Sequence, residues 1–154
     1  MDYHIIPSKI DPSNDGINHI NAYSKGQTEL GRLLSNFANT PFDHDELGHF
    51  ESMEGFWYYC STGMIHDELK SLSGFDAKKF GRNLPVITND KFKDLIVEGL
   101  ECKLTQNEYL LDMCADNDLP YVHYYVHPDS PIKLDESFWI KALRKTISKL
   151  ILFY

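Results

Sequence analysis

A carboxylate and an aromatic ring lie one helical turn apart in the stretch "SMEGFWYYC", residues 52–60. Ser52 is a residue type that caps helices, so the stretch predicts a helix with Glu54 in its first turn. Side chains three or four residues apart are neighbours on a helix surface, which places Glu54, Trp57 and Tyr58 together. The predicted helix therefore presents a carboxylate beside an aromatic shelf.

This face has two interpretations. In the structural one, Glu54 complements the positive end of the helix dipole while Trp57 and Tyr58 fill the core, and spacing alone favours it. In the chemical one, the Glu54 carboxylate stabilises the oxocarbenium-like centre that forms when a C–N bond to ribose breaks. Trp57 would then supply an aromatic wall on which the departing base or an adenine stacks.

Two further stretches carry groups that suit a nucleotide-like ligand. In "RLLSNFANTPF", residues 32–42, Asn36 offers donors and an acceptor, and Phe37 offers a stacking surface. The alternative is that Asn36 only satisfies the backbone of a turn. The basic cluster Lys78, Lys79 and Arg82 is the best local site for an anion, and Lys79 with Arg82 would hold phosphates.

Several other chemistries lack their motifs. Neither glycine-rich phosphate loop, G-x-G-x-x-G or G-x-x-x-x-G-K-[ST], occurs, and the G-x-S-x-G elbow of acyl transfer is absent as well. His123 and His127 lie in a predicted strand, where four residues span about 13 Å, too far to share one metal ion. We therefore expect no metal and no cofactor.

The bulk properties limit the class of protein. A chain of 154 residues suits one domain, and a net charge of −8 disfavours extended non-specific binding to a polyanion. Three cysteines without C-x-x-C spacing predict reduced thiols. Because neither a signal peptide nor a membrane span is visible, we expect a cytoplasmic protein that makes no membrane contact.

The order of predicted elements indicates an α+β fold: a single, largely helical domain with a small β-sheet. Residues 1–16 read as an N-terminal arm and 17–154 as the domain. Strands are predicted within 17–23 and 119–126, and a hairpin within 40–50. Helices are predicted from Ser52, within 65–72 and 75–84, from an Asp90 cap, from an Asn107 cap and over 138–151.

In the same order along the chain, "LLSNFANTPF" (33–42), "SMEGFWYY" (52–59) and "AKKFGR" (77–82) resemble motifs of the NADAR family, which includes the YbiA-like N-glycosidases. The segment "YSKGQTELGRLLSNF" is similar to the branch of the family that acts on ADP-ribosylated nucleic acid. The resemblance spans about residues 20–140. It implies an α+β domain that hydrolyses N-glycosidic bonds without a metal or redox cofactor.

Carried over by position, the resemblance makes Glu54 the main catalytic carboxylate. The positions that would contact the substrate are, in chain order, Asn36, Phe37, Lys79, Gly81, Arg82 and Lys103. Near the C-terminus the chain departs from the YbiA-like pattern, because His123 stands where that branch has a glutamate. The second acid therefore stays open between Asp135 and Glu136.

The resemblance implies removal of ADP-ribose from ADP-ribosylated guanine in nucleic acid, which reverses toxin-type DNA ADP-ribosylation and suits an antitoxin or counter-defence enzyme. One alternative is hydrolysis of phosphoribosylated intermediates of riboflavin synthesis, which fits the net charge of −8 more easily. Another is a non-catalytic module that binds ADP-ribose or NAD. The expected partner is thus ADP-ribosylated nucleic acid or a nucleotide-like small molecule.

Overall fold

The structure, a computed structural model, describes residues 5–154. In that range the chain forms six α-helices: α1 (Glu29–Leu34), α2 (Met53–Ser61), α3 (Gly74–Gly81), α4 (Phe92–Gln106), α5 (Glu108–Asp116) and α6 (Phe138–Ile151). The strands are β1 (Ile20–Asn21), β2 (Phe42–His44), β3 (Gly48–Phe50) and β4 (Tyr121–Val122). Pro12–Asn14 and Asp67–Ser71 are short 3₁₀ helices. The predicted α+β class is confirmed.

The chain divides into two compact units. We call Asn36–Leu111 the central unit, and the described residues up to Ser35 together with Asp112–Tyr154 the terminal unit. Of the predicted arm over 1–16, residues 1–4 lie outside the described part of the chain. The Asp15 carboxylate accepts backbone hydrogen bonds from Asn21 at 3.0 Å and Gln27 at 2.8 Å, within the terminal unit. The boundary at residue 16 stays a prediction.

In the central unit, β2 and β3 pair in antiparallel fashion with Phe42 opposite Phe50, which confirms the predicted hairpin. Both rings pack against Phe56 of α2, with centroid distances of 5.4 Å from Phe42 and 4.8 Å from Phe50. Helix α4 approaches α2 closely at Gly99, where a Cβ atom would lie 2.6 Å from the Phe56 ring. This aromatic cluster fixes the helix that carries Glu54.

In the terminal unit, β1 and β4 form a parallel pair that is only two residues long. The alternation over 17–23 and 119–126 predicted longer strands. The Asn21 side chain takes over the pairing instead, because its Nδ2 donates to the Tyr124 carbonyl at 3.0 Å and its Oδ1 accepts from the Tyr124 N–H at 3.1 Å. Helix α6 packs on β4 and buries Trp139, Leu143 and Ile147.

Helix boundaries follow local hydrogen bonding. Ser52 caps α2 as predicted, since its Oγ accepts from the Gly55 N–H at 3.0 Å and donates to the Leu72 carbonyl at 2.8 Å. The predicted Asp90 cap of α4 is wrong: the helix starts at Phe92, Lys91 occupies the cap position, and no side chain caps it. Within the short helix predicted at 65–72, residues Asp67–Ser71 form a 3₁₀ helix.

Asn107 directly precedes α5, the predicted cap position, and its backbone carbonyl accepts from the Leu111 N–H at 3.1 Å. Its Nδ2 donates to the carbonyl oxygens of Lys103 at 2.7 Å and Pro41 at 3.0 Å. The side chain therefore satisfies an unpaired carbonyl at the end of α4, because only acceptors are left unpaired at a helix C-terminus. No helix among residues 5–154 is long and apolar enough to cross a membrane.

Candidate active site

Glu54 occupies the first turn of α2, and its backbone N–H donates to the carbonyl oxygen of Asn36 at 2.8 Å. The first N–H groups of a helix have no partner within the helix, so the Asn36 carbonyl satisfies one of them. The chain segment that carries Asn36 is thereby fastened to the start of the helix. Two residues that the sequence assigned to one site are thus brought together in the central unit.

The Glu54 side chain is half-buried, and burial raises the pKa of its carboxyl group to about 7, against an opposing attraction from the Lys78 ammonium. Among the described residues, the carboxylate accepts no hydrogen bond that would hold it ionised. At neutral pH both protonation states are therefore populated. A carboxyl group with this pKa serves as a general base, a general acid or an electrostatic stabiliser of nascent positive charge.

Asn36 contributes an open acceptor. Its Oδ1 is buried and has no hydrogen-bond partner among the described residues. A buried acceptor without a partner costs about 1–3 kcal/mol, a cost that disappears when a ligand N–H or O–H reaches it. This geometry favours a ligand-binding role over the alternative that Asn36 only satisfies a turn, although its backbone carbonyl does bind Glu54.

Lys78 lies near the Phe37 ring and acts electrostatically on the Glu54 carboxylate. Its Nζ lies 6.0 Å from the Phe37 ring centroid, and its charge lowers the pKa of Glu54 in part. A Cβ atom at Gly74, one turn earlier on α3, would lie 3.6 Å from the Phe37 carbonyl. The four-residue spacing of Gly74 and Lys78 was the signal that could have identified this face, whereas the sequence assignment favoured Lys79.

The residues predicted to bind phosphate lie in α3 and directly after it, and their surroundings differ. Gly81 is required for packing, because a Cβ atom there would lie 2.2 Å from the Tyr58 ring. Arg82 is exposed, and its guanidinium group lies 5.7 Å from the exposed Phe75 ring. Lys79 is exposed as well. Phosphate binding by Lys79, Gly81 and Arg82 stays a prediction.

Trp57 and Lys103 lie elsewhere in the central unit. The half-buried Trp57 ring meets Phe92 edge-on, with centroids 5.0 Å apart, so the start of α4 fixes its orientation. Lys103 is fully buried in α4. Both assignments to the substrate site stay predictions, and Trp57 has a packing role in addition.

The two candidates for the second acid belong to the terminal unit. The Asp135 carboxylate accepts from the Ser137 N–H at 2.8 Å and from its hydroxyl at 3.0 Å, just before α6. Glu136 is exposed and pairs with Arg144 at 3.3 Å. Each carboxylate thus has a local structural partner, and the choice between them stays open.

His123 adds a neutral imidazole to the terminal unit. Its Nδ1 donates to the Ala22 carbonyl at 2.7 Å, so in the neutral ring Nε2 is an acceptor. Burial lowers the pKa of His123, and the ring packs edge-on against Trp139 with centroids 5.1 Å apart. The sequence identified this position only as a departure from the YbiA-like pattern.

Among residues 5–154, no group of three or more His, Cys, Asp or Glu side chains is placed to hold a metal ion. None of the three cysteines forms a disulfide: Cys60 and Cys114 are buried and Cys102 is half-buried. Burial raises the pKa of Cys60 to about 12, which keeps this thiol protonated and unreactive. These residues therefore contribute no additional chemistry to the site around Glu54.

No protein-family model and no curated protein sequence matches the chain. A solved structure does: the NMR structure of the E. coli protein YbiA superimposes with a TM-score of 0.63 at 16% sequence identity. The match covers 97% of this chain and 87% of YbiA. The chain therefore has a YbiA-like fold, as the sequence resemblance implied.

Proposed function

We propose that this chain, which has the YbiA-like fold, is a cytoplasmic N-glycoside hydrolase that removes ADP-ribose from ADP-ribosylated guanine in nucleic acid. One observation carries the proposal: a half-buried carboxyl group with a pKa of about 7 is fastened to a segment that presents an unpartnered acceptor. The identity of the base rests on the "YSKGQTELGRLLSNF" segment, residues 23–37.

The reaction breaks the bond between the anomeric carbon of ribose and a guanine nitrogen. The bonding electron pair leaves with guanine, and the anomeric carbon becomes oxocarbenium-like. The oxygen of a water molecule then bonds to that carbon, and the proton it loses balances the one that guanine gains. The products are ADP-ribose and unmodified guanine, and the reaction consumes no oxidant or reductant.

Glu54 acts in its ionised form under this scheme. Burial makes the isolated carboxylate unfavourable, so a developing positive charge at the anomeric carbon supplies the partner that the folded protein lacks. The same carboxylate can accept the proton of the attacking water. The stabilisation is stronger in the transition state than in the ground state, which is the requirement for catalysis.

The rest of the site suits the ADP-ribose moiety. Asn36 Oδ1 accepts from a ribose hydroxyl or a base N–H. The Phe37 ring offers a flat apolar face, and the nearby Lys78 ammonium offers a positive charge. These two groups complement the flat base and the anionic phosphate of a nucleotide. Arg82, the residue just after α3, adds a guanidinium group for a phosphate.

A second candidate is hydrolysis of a small phosphoribosylated intermediate, which the net charge of −8 favours because a small ligand avoids repulsion between protein and polyanion. A third is binding of ADP-ribose or NAD without turnover. Parallel assays with an ADP-ribosylated guanine oligonucleotide and a phosphoribosylated riboflavin precursor separate the two hydrolases by kcat/KM. Calorimetric binding of free ADP-ribose without turnover of either substrate would identify the binding module.

A further inference from the structure

The terminal unit contains an open cavity of about 260 Å³ that the proposed reaction does not use. Its walls come from the segments around Asp15, Asn21–Gln27 and Tyr124–Val126. The residues that line it are Pro12, Asp15, Asn21, Tyr23, Lys25, Gly26, Gln27, Tyr124 and Val126. The volume is below the roughly 300–1,000 Å³ of pockets for drug-sized ligands, so it suits a fragment such as one nucleotide.

Some polar groups that line this cavity already make hydrogen bonds within the protein, and others make none. The Asp15 carboxylate accepts from two backbone N–H groups, and the Asn21 amide pairs with the backbone of Tyr124. The Lys25 ammonium and the Tyr23 hydroxyl, by contrast, make no hydrogen bond or ion pair with any described residue. The cavity therefore offers a cation and a phenol whose bonding capacity remains for a ligand.

An aromatic ledge adjoins the cavity through Tyr23. The Tyr125 ring meets Tyr23 edge-on with centroids 5.6 Å apart, and it lies nearly parallel to His127, at 6.0 Å and 18°. Tyr125 is 58% exposed and His127 is exposed, so we call this pair the Tyr125–His127 ledge. Large exposed rings offer a flat face to solvent, which is the surface on which unpaired bases stack.

We propose that this cavity and the Tyr125–His127 ledge bind an unpaired nucleotide of a single-stranded nucleic acid, with the base stacked on Tyr125 and a phosphate at Lys25. The inference rests on the proposed function for the identity of the strand, a nucleic acid that carries the modified guanine. Stacking is sequence-tolerant, because every base has an aromatic face. A net charge of −8 means that the surface as a whole repels the strand, so binding depends on local contacts of this kind.

The test measures binding of a fluorescent, unmodified thymidine oligonucleotide of about ten nucleotides by anisotropy at low and moderate salt. For wild type we expect saturable binding that weakens with salt. Tyr125→Ala should raise Kd about tenfold, within the range that loss of one base stack produces, and Tyr125→Phe should retain wild-type affinity. Lys25→Ala should weaken binding. It should also reduce the slope of log Kd against log salt concentration by the amount expected for about one phosphate contact.

Matched controls come from residues of the same type at other surfaces. Tyr109 is 60% exposed, and Lys145 is exposed on α6, so Tyr109→Ala and Lys145→Ala should leave Kd unchanged. A uridine oligonucleotide should bind comparably, and a blunt duplex much more weakly. Absence of wild-type binding at low salt, or equal Kd values for Tyr125→Ala and Tyr109→Ala, would overturn the proposal.

Failure of this inference is distinguishable from failure of the proposed function. If wild type hydrolyses an ADP-ribosylated guanine oligonucleotide but Tyr125→Ala changes neither Kd nor KM, only the ledge is refuted. If the oligonucleotide binds in a Tyr125-dependent manner but no ADP-ribose is released, the ledge stands and the hydrolase proposal fails.

Discussion

The backbone N–H of Glu54 donates a 2.8 Å hydrogen bond to the carbonyl oxygen of Asn36. This bond joins the two parts of the central unit that carry the carboxylate and the unpartnered amide oxygen. The N–H belongs to the first turn of α2, where it has no acceptor within the helix. The Asn36 carbonyl therefore satisfies it without breaking an intrahelical hydrogen bond. The backbone therefore fixes the relative placement of the two residues from which the carboxylate and the unpartnered amide oxygen extend.

The first prediction concerns the pH dependence of activity. Because the active form of Glu54 is ionised and burial raises its pKa to about 7, kcat/KM should rise through a limb centred near pH 7. Lys78→Met removes the charge that favours ionisation, so it should move this limb to higher pH. Lys79→Met, a neighbouring exposed lysine, is the matched control and should leave it in place. Identical profiles for both variants would refute the coupling of Lys78 to Glu54.

The second prediction concerns stability. The folded-state pKa of Glu54, about 7, lies above its usual value of 4.5, so the folded protein holds this proton more tightly than the unfolded chain does. Stability from this group is therefore full below pH 4.5 and lost as the pH rises through about 7. Glu54→Gln should raise Tm relative to wild type at pH 8 but not at pH 4.

Thermal denaturation followed by circular dichroism at both pH values provides this measurement. Glu108→Gln is the control, since Glu108 is an exposed carboxylate in the first turn of α5. It should show little change at either pH. A Glu54→Gln variant that is less stable than wild type at pH 8 would contradict the raised pKa.

The third prediction concerns Asn36. Its buried Oδ1 has no partner among the described residues, so Asn36→Ala relieves a desolvation cost of about 1–3 kcal/mol and should leave the protein at least as stable as wild type. Loss of a hydrogen bond to substrate should raise KM roughly 5- to 100-fold. Asn39→Ala, which removes an exposed amide bonded to Glu51, should leave KM unchanged. A large loss of stability with unchanged KM would assign Asn36 a structural role instead.

The fourth prediction concerns Gly81. A Cβ atom there would lie 2.2 Å from the Tyr58 ring, so Gly81→Ala should destabilise the protein by about 1–3 kcal/mol despite the better helix propensity of alanine. Adding Tyr58→Ala removes the clash and should make Gly81→Ala nearly neutral in that background. If the single variant is stable and only its substrate affinity falls, the predicted phosphate role of Gly81 is favoured over packing.

Local signals in the sequence predicted the start of the site well. The Ser52 cap and the first-turn position of Glu54 are as predicted, whereas Trp57 and Tyr58, which spacing alone favoured as core residues, are only half-buried. The cap and the helix start depend on residues within a few positions of one another, so the sequence could identify them.

Features that depend on distant partners were missed. The pKa of Glu54 results from burial by the whole central unit, and the proximity of Lys78 to Phe37 depends on how α3 packs. Asp90 was assigned as a cap by residue type, but the helix starts at Phe92, Lys91 occupies the cap position and no side chain caps it. The short β1 and β4 strands have the same cause, since the Asn21 amide replaces backbone pairing.

Release of ADP-ribose from an ADP-ribosylated guanine oligonucleotide, measured for wild type, Glu54→Gln and Glu108→Gln, tests the central claim most directly. The account predicts release by wild type and Glu108→Gln, and a loss of about a hundredfold or more in kcat for a folded Glu54→Gln variant. No release by wild type, or equal rates for Glu54→Gln and wild type, would contradict it.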